Sequence, residues 1–166
     1  MLYKQIKINE FKEVDLDKIK EIIDITIDKC YVNIYSPEAI NYFKQCHSKE
    51  NILSDAKRGT TLTLIDNLEI IGTGTLLGEE IKRVFVLRQY QGQGLGKLIM
   101  THLEEHAVKE RLKKVTLRSL LVSKKFYEKL RYTQIKENFI DLGNGEKLDH
   151  YEMFKELRED NLSGEK

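Results

Sequence analysis

Val86-Leu87-Arg88-Gln89-Tyr90-Gln91-Gly92-Gln93-Gly94-Leu95-Gly96-Lys97 joins two different periodicities. Upstream, Ile81-Lys82-Arg83-Val84-Phe85-Val86-Leu87 reads as a strand. Downstream, Leu95, Leu98, Ile99, Leu103 and Ala107 recur at threes and fours, the stripe of an amphipathic helix that stops near residues 109–112. Three glycines at alternate positions between strand and helix expose successive backbone N–H groups at a positive helix end, which is a recipe for holding phosphate. Two familiar phosphate loops do not fit. A GxxxxGK[ST] loop needs glycine where Gln91 stands and a hydroxyl where Leu98 stands; a GxGxxG turn counted from Gly92 needs glycine at Lys97. The plain alternative is a tight turn that packs a helix close on a sheet and binds nothing.

Working outward, Thr60-Thr61-Leu62-Thr63-Leu64-Ile65 and residues 68–76 flank the turn pair Asp66-Asn67 and predict a hairpin, with Gly78-Glu79-Glu80 turning into the strand already described. Nearer the start, Leu2-Tyr3-Lys4-Gln5-Ile6-Lys7-Ile8 alternates and predicts a first strand with Leu2, Ile6 and Ile8 on its buried face. Leu16, Ile19, Ile22, Ile23, Thr26 and Ile27 then mark a core-facing helix. Ser36-Pro37-Glu38 opens a second helix through Phe43, and a short third follows from Ser48. Beyond the long helix, Val115-Thr116-Leu117 is a fifth strand. A short helix over residues 123–130 and two last strands, 132–141 and 147–154, close the chain around Gly143-Asn144-Gly145.

The whole is 166 residues and 19.5 kDa with 40% hydrophobic residues, which suits one domain over residues 1–157 and a polar tail at 158–166. A formal net charge of +1 gives no support to global attraction for nucleic acid or an anionic membrane. Residues 1–9 lack a signal-peptide pattern, and no apolar window is long enough for a membrane helix. Cys30 and Cys46 alone make no disulfide framework, so a reducing cytoplasm is expected. His102 and His106 sit four apart on the long helix, but Leu103 stands where HExxH needs its glutamate, so no metal is expected.

With a second motif, Ser123-Lys124-Lys125-Phe126-Tyr127-Glu128-Lys129-Leu130-Arg131-Tyr132, the chain resembles the GNAT superfamily of acetyl-CoA-dependent N-acetyltransferases over nearly its whole length. The superfamily's pyrophosphate signature, [RQ]xxGx[GA] after the fourth strand, is matched by Gln91, Gly94 and Gly96, and its phenylalanine-tyrosine pair by Phe126 and Tyr127. Two positions depart from it. Arg131 stands where members commonly have glycine in a left-handed cap, and Ser119 and Ser123 are offered where members often carry asparagine. The fold implied is α+β: a mixed, mostly antiparallel seven-stranded sheet flanked by helices, splayed between strands four and five.

What the resemblance implies about chemistry can be set beside the residues. Acetyl transfer from a thioester to a primary amine needs coenzyme anchoring, a deprotonated amine, oxyanion stabilisation and a proton for the departing thiolate. Anchoring falls to the backbone N–H groups of Gln91, Gly92, Gln93, Gly94, Leu95 and Gly96, with Lys97 adding charge. Residues 111–131 carry eight basic side chains and one acid, Glu128, a patch that suits the 3′-phosphate and diphosphate through groups such as Lys129, with Ser123 nearby. Most of those lysines read more readily as a solvated surface with nucleic-acid or partner contacts than as direct ligands. Val86 and Leu87 would pair with the pantetheine arm like a neighbouring strand, making the Val86 N–H the oxyanion donor. Tyr127 is the proton donor to the thiolate, since a phenol with a pKa of roughly 10 is protonated at neutral pH. Members take the amine proton with a glutamate on the fourth strand, a water chain or other groups; Glu80, which by period two shares a face with Val84 and Val86, is the first candidate base and Glu79 the second, against a plain reading of two turn acids in water.

Tyr31, Tyr35, Tyr42 and Phe43 cluster where the superfamily's first two helices wall the acceptor pocket. His150 and Tyr151 could face the acceptor and carry no assigned role. The acceptor itself is open. A homodimer through terminal strands is compatible with the superfamily, and two other classes stand beside the enzyme: a silent GNAT-like module that binds coenzyme A or a partner, and a basic nucleic-acid-binding domain.

Overall fold

A computed structural model describes residues 5–158. Among the described residues the chain forms seven strands and five helices, in the order β1 (Ile6–Glu10), α1 (Leu16–Cys30), α2 (Pro37–Cys46), α3 (Lys49–Arg58), β2 (Thr60–Asp66), β3 (Glu69–Leu77), β4 (Glu80–Val86), α4 (Leu95–Lys109), β5 (Lys114–Ser119), α5 (Leu121–Lys129), β6 (Thr133–Gly143) and β7 (Glu146–Glu156). Leu2, expected on the first strand's buried face, and the tail from residue 159 lie outside the described residues.

Local chemistry explains most of these boundaries. Ser36 accepts a hydrogen bond from the Ala39 N–H and Pro37 takes the first turn of α2; Ser48 does the same for α3 through the Asn51 N–H. On α1, Ile19, Ile22, Ile23, Thr26 and Ile27 are buried, and the Thr26 hydroxyl donates to the Ile22 carbonyl at 2.7 Å, so that its polarity is satisfied within the core. Two 3-10 turns, Glu13–Asp15 and Arg88–Tyr90, carry no apolar period and were not legible beforehand.

The strands form one sheet in the order β1-β2-β3-β4-β5-β7-β6. All neighbours are antiparallel except β4 and β5, which run parallel and pair at one position, Glu80 with Thr116. Past that pairing the two strands diverge. On one face α4 seals a core of Leu62, Leu64, Ile81, Val86, Ile99 and Leu103. On the other, α1–α3 pack Ile19, Ile23, Ile27, Phe43 and Ile52 against Phe85 and Leu148.

β4 does not alternate cleanly. Its register with β3 shifts between Thr73 and Thr75, opposite Arg83, whose φ is +60°. A non-glycine residue there costs about 1–2 kcal/mol, and the bulge reverses the parity of the strand. Ile81, Val84 and Val86 consequently all pack on the α4 side, although they do not share one parity, while Phe85 faces α1–α3. Glu80, neighbour of Ile81, lies on the α1–α3 side. The expectation that Glu80 shares a face with Val84 and Val86 is therefore corrected: period two fails across the bulge.

Candidate active site

The divergence of β4 from β5 opens a cleft of ≈ 660 Å³, lined by Val84 and Val86 on the strand side, Gly92, Gly94 and Gly96 at the turn, and Tyr127 on the α5 side. The Leu87 N–H donates to the Ile71 carbonyl at 2.9 Å, which makes Leu87 and Ile71 a hydrogen-bonded antiparallel pair. By alternation the N–H of Val86 points away from β3, toward the gap where β5 would otherwise pair. The Val86 carbonyl accepts a hydrogen bond from Gln91 Nε2 at 2.8 Å, tying the turn to the strand end.

This geometry modifies two expectations. The Leu87 N–H is spent on β3 and is not available to an incoming strand-like arm. The Gln91 N–H donates to the Arg88 carbonyl at 3.2 Å, so Gln91 contributes to the site through its side-chain amide. The Gln93 side chain turns back to the Gln89 carbonyl at 3.3 Å.

Gly94, with φ +78°, is the N-cap of α4 and brings no side chain to its first turn. The N–H groups of Leu95, Gly96 and Lys97 therefore open on the cleft without the usual cap, at the positive end of a 15-residue helix. Lys97 and Lys129 line the same cleft. A Cβ built on Gly96 would come within 3.0 Å of Phe126 Cζ, so the glycine of one motif makes room for the phenylalanine of the other. These residues fit a diphosphate: amide donors, a helix end and two ammonium groups, with nothing acidic among the lining.

Tyr127 packs edge-on against Phe126 at 5.0 Å and Tyr132 at 5.9 Å. Burial, with the neighbouring Tyr31 phenol adding to it, raises its pKa above the ordinary tyrosine value. Tyr31 is pushed up to about 12 by burial, with the Ser123 hydroxyl pulling the other way. Tyr31, Ser123, Val84, Phe85 and Tyr127 line both the cleft and a second cavity of ≈ 250 Å³ on the α1–α3 side, so the two spaces meet at these side chains.

The second cavity has an aromatic wall of Tyr31, Tyr42 and Phe43, whose rings meet edge-on, and a charged floor. Glu80 Oε1 accepts from Arg118 Nε at 3.1 Å. Asp55, behind the wall, gathers Arg58 at 3.0 Å, Lys82 at 3.2 Å and Arg83 at 3.0 Å. Burial opposes its ionisation, but the hydrogen bonds from Arg83 and Lys82 outweigh this and hold its carboxyl below the ordinary range. His47 Nδ1 accepts from Arg83 Nε at 3.1 Å; burial first, and Arg83 second, lower its pKa to about 3. That ring is neutral with its proton on Nε2. Two lining residues carry buried atoms without a hydrogen-bond partner, Arg83 Nη1 and His150 Nδ1.

The expected site residues thus fall into groups. Val86, Gly92, Gly94, Leu95, Gly96, Lys97, Ser123, Tyr127 and Lys129 meet at the cleft, and Glu80 lines the adjoining cavity. Tyr151 does not face that cavity; it packs on the α4 side with the Lys124 ammonium 4.5 Å from its ring centre. Tyr35 packs edge-on against Tyr31 and Phe43 but lines neither space. Asp55, Arg83 and His47 were missed. Their one trace in the sequence is Arg83, a charge at the parity of Ile81 and Phe85.

Among the described residues no cluster of three or more His, Cys, Asp or Glu is arranged to hold a metal ion, and no helix is long and apolar enough to cross a membrane.

The fold is shared with solved acetyltransferases. A GCN5-related N-acetyltransferase from Rhodopseudomonas palustris superposes with a TM-score of 0.84 at 20% identity, covering 95% of this chain and 99% of that one. The PaiA N-acetyltransferase of Thermoplasma acidophilum, solved in complex with coenzyme A, gives 0.75 at 20% identity over 92% of this chain and 99% of that one. The ribosomal-protein-S18-alanine N-acetyltransferase of Escherichia coli gives 0.68 at 17% identity, with coverages of 92% and 94%. At such identities the likeness is one of fold. No curated protein matches the chain significantly by sequence. Residues 31–157, however, match the family described as "Acetyltransferase (GNAT) domain", and the chain, with its split sheet and uncapped glycine turn, belongs to the GNAT acetyltransferase family.

Proposed function

We propose that the protein transfers the acetyl group of acetyl-CoA to a primary amine by direct attack, with both substrates bound at once. The observation that carries this reading is the junction of the two spaces: Tyr127 lines both, so one phenol borders the cleft fitted to a diphosphate and the cavity on the α1–α3 side. An amine entering from that cavity meets a thioester arriving along the cleft beside Tyr127.

The coenzyme supplies the activated acetyl group; the chain supplies the rest. The N–H groups from Gly92 to Lys97 hold the diphosphate, with Lys97 and Lys129 adding charge and Ser123 beside the arm. Val86 offers its N–H to the carbonyl oxygen as negative charge develops there. The amine nitrogen forms its bond to the acetyl carbon, the carbon–sulfur bond breaks, and the sulfur takes the Tyr127 proton. Burial keeps the phenol protonated, so its proton is in place when the thiolate departs. Glu80, on the cavity side, takes the proton that the amine releases, with Glu79 next to it in the turn. Two free cysteines, Cys30 and Cys46, are in keeping with a reducing cytoplasm.

The test is release of coenzyme A thiol from acetyl-CoA in the presence of pooled primary amines, with product mass read in parallel. Amine-dependent thiol release and a product heavier by one acetyl group are expected. Acetyl-CoA binding without transfer to any amine would favour a silent coenzyme-binding module.

A further inference from the structure

Two buried polar atoms without partners belong to residues lining the same small cavity, Arg83 Nη1 and His150 Nδ1. The Arg83 side chain is 1% exposed, with its Nε on His47 and its Nη2 on Asp55. Its remaining Nη1 can only donate. A buried guanidinium N–H without an acceptor is costly, and such a group in a native site calls for a partner.

Charge points the same way. The cavity is lined by three cations, Lys82, Arg83 and Arg118, against one carboxylate, Glu80; Asp55 stands behind the wall and is already shared by Arg58, Lys82 and Arg83. A second positive charge on an incoming amine would be repelled here, and an anion drawn in. The cavity, at ≈ 250 Å³, is also below the roughly 300–1,000 Å³ of sites for drug-sized ligands.

We propose that the acceptor is a small amine carrying an anionic group, a carboxylate or a phosphate, which Arg83 Nη1 and Lys82 hold while its amino end lies toward His150 and Glu80. The inference rests on the acetyl-transfer reading and narrows it: polyamines and large polycationic acceptors are selected against. His150 Nδ1 is the second unpartnered polar atom in the same lining.

The probes are the twenty α-amino acids with their carboxamides, O-phosphoethanolamine with ethanolamine, and 1,4-diaminobutane, assayed by thiol release and product mass with the full chain. The expected result is an anionic probe acetylated with kcat/KM at least tenfold above its neutral counterpart. Whether the carboxylate or the phosphate arm responds identifies the anion. Lys82→Gln, which removes one of the cations on Asp55 but keeps the bonds from Arg83 to Asp55 and His47, should bring that ratio close to one, and Arg83→Lys should do so too if it folds by thermal melting. Carboxamides, ethanolamine or the diamine used as well as the acids would overturn the proposal while leaving acetyl transfer standing. No probe acetylated, with acetyl-CoA still bound by titration, would also overturn it. Failure of acetyl-CoA to bind would remove the underlying transferase reading itself.

Discussion

Tyr127→Phe removes one oxygen and keeps the ring. The contacts that hold the ring, Phe126 at 5.0 Å and Tyr132 at 5.9 Å, survive, as do the backbone hydrogen bonds from Leu130 and Tyr132 to the Tyr127 carbonyl, both 3.0 Å. Folding and coenzyme binding should therefore be little changed, with a KM for acetyl-CoA within about twofold of the parent. The chemical step should suffer the loss of a positioned proton donor, typically 10²–10⁴-fold, or about 3–5 kcal/mol of barrier. The assay is initial-rate thiol release at saturating acetyl-CoA from pH 6 to 9, with an acceptor identified as above. Because burial raises the Tyr127 pKa, the parent should show no alkaline decline from this phenol within that window. A variant kcat within about threefold of the parent across the range would refute the donor role. Tyr31 supplies the internal comparison: its phenol, pushed up to about 12, lines the same junction and is engaged by Ser123. Collapse in Tyr31→Phe with normal rates in Tyr127→Phe would transfer the role to Tyr31.

Other consequences follow from single features of the fold. Arg131, one residue beyond the Leu130 C-cap of α5, has φ +70°, where a left-handed arginine costs about 1 kcal/mol; Arg131→Gly should raise Tm by about 2–4 °C, and an unchanged or lower Tm would show that its side chain compensates. Gly96→Ala should press on Phe126 at 3.0 Å, part α4 from α5 and weaken acetyl-CoA binding several-fold, checked by calorimetry. His47 is held neutral, its pKa lowered from 6.5 to about 3. As pH falls below 6.5 the unfolded chain binds a proton that the folded chain does not, so this contribution is present above 6.5 and is lost progressively toward pH 3. The maximal slope is about 1.4 kcal/mol per pH unit. Urea unfolding between pH 7.5 and 4.5 should show it, and His47→Gln should flatten it.

Where one physical signal governs a segment, its structure was legible beforehand. The stripe from Ile19 to Ile27 could only bury one face of a helix, Ser36-Pro37 and Ser48 are caps that satisfy otherwise orphaned amides, and Gly143-Asn144-Gly145 takes three positive φ angles in a row. The glycine turn was legible because amide donors at a helix end need no side chain. The acceptor side was not, because it depends on one bulge. Arg83 adopts φ +60° and reverses the parity of β4, sending Glu80, Lys82 and itself to the α1–α3 side. Nothing local in Ile81-Lys82-Arg83-Val84 requires that; it is held by Asp55 on α3 and His47 after α2, contacts 28 and 36 residues away in the chain. Leu87 was misread for a related reason, since which N–H faces β3 is decided by register, which a single strand's sequence does not contain.

Calorimetric titration with acetyl-CoA of the parent protein, Gly94→Ala and Gly94→Glu bears most directly on the account, because every assigned role depends on the coenzyme lying in the split of the sheet. Gly94 has φ +78° and open space where a Cβ would project, so both variants carry the same backbone strain, and only glutamate places a negative charge in the cradle. The account predicts one-to-one binding in the parent, a modest loss in the alanine variant and at least a 100-fold loss in the glutamate variant. Absence of binding in the parent, or equal affinity in all three, would contradict it.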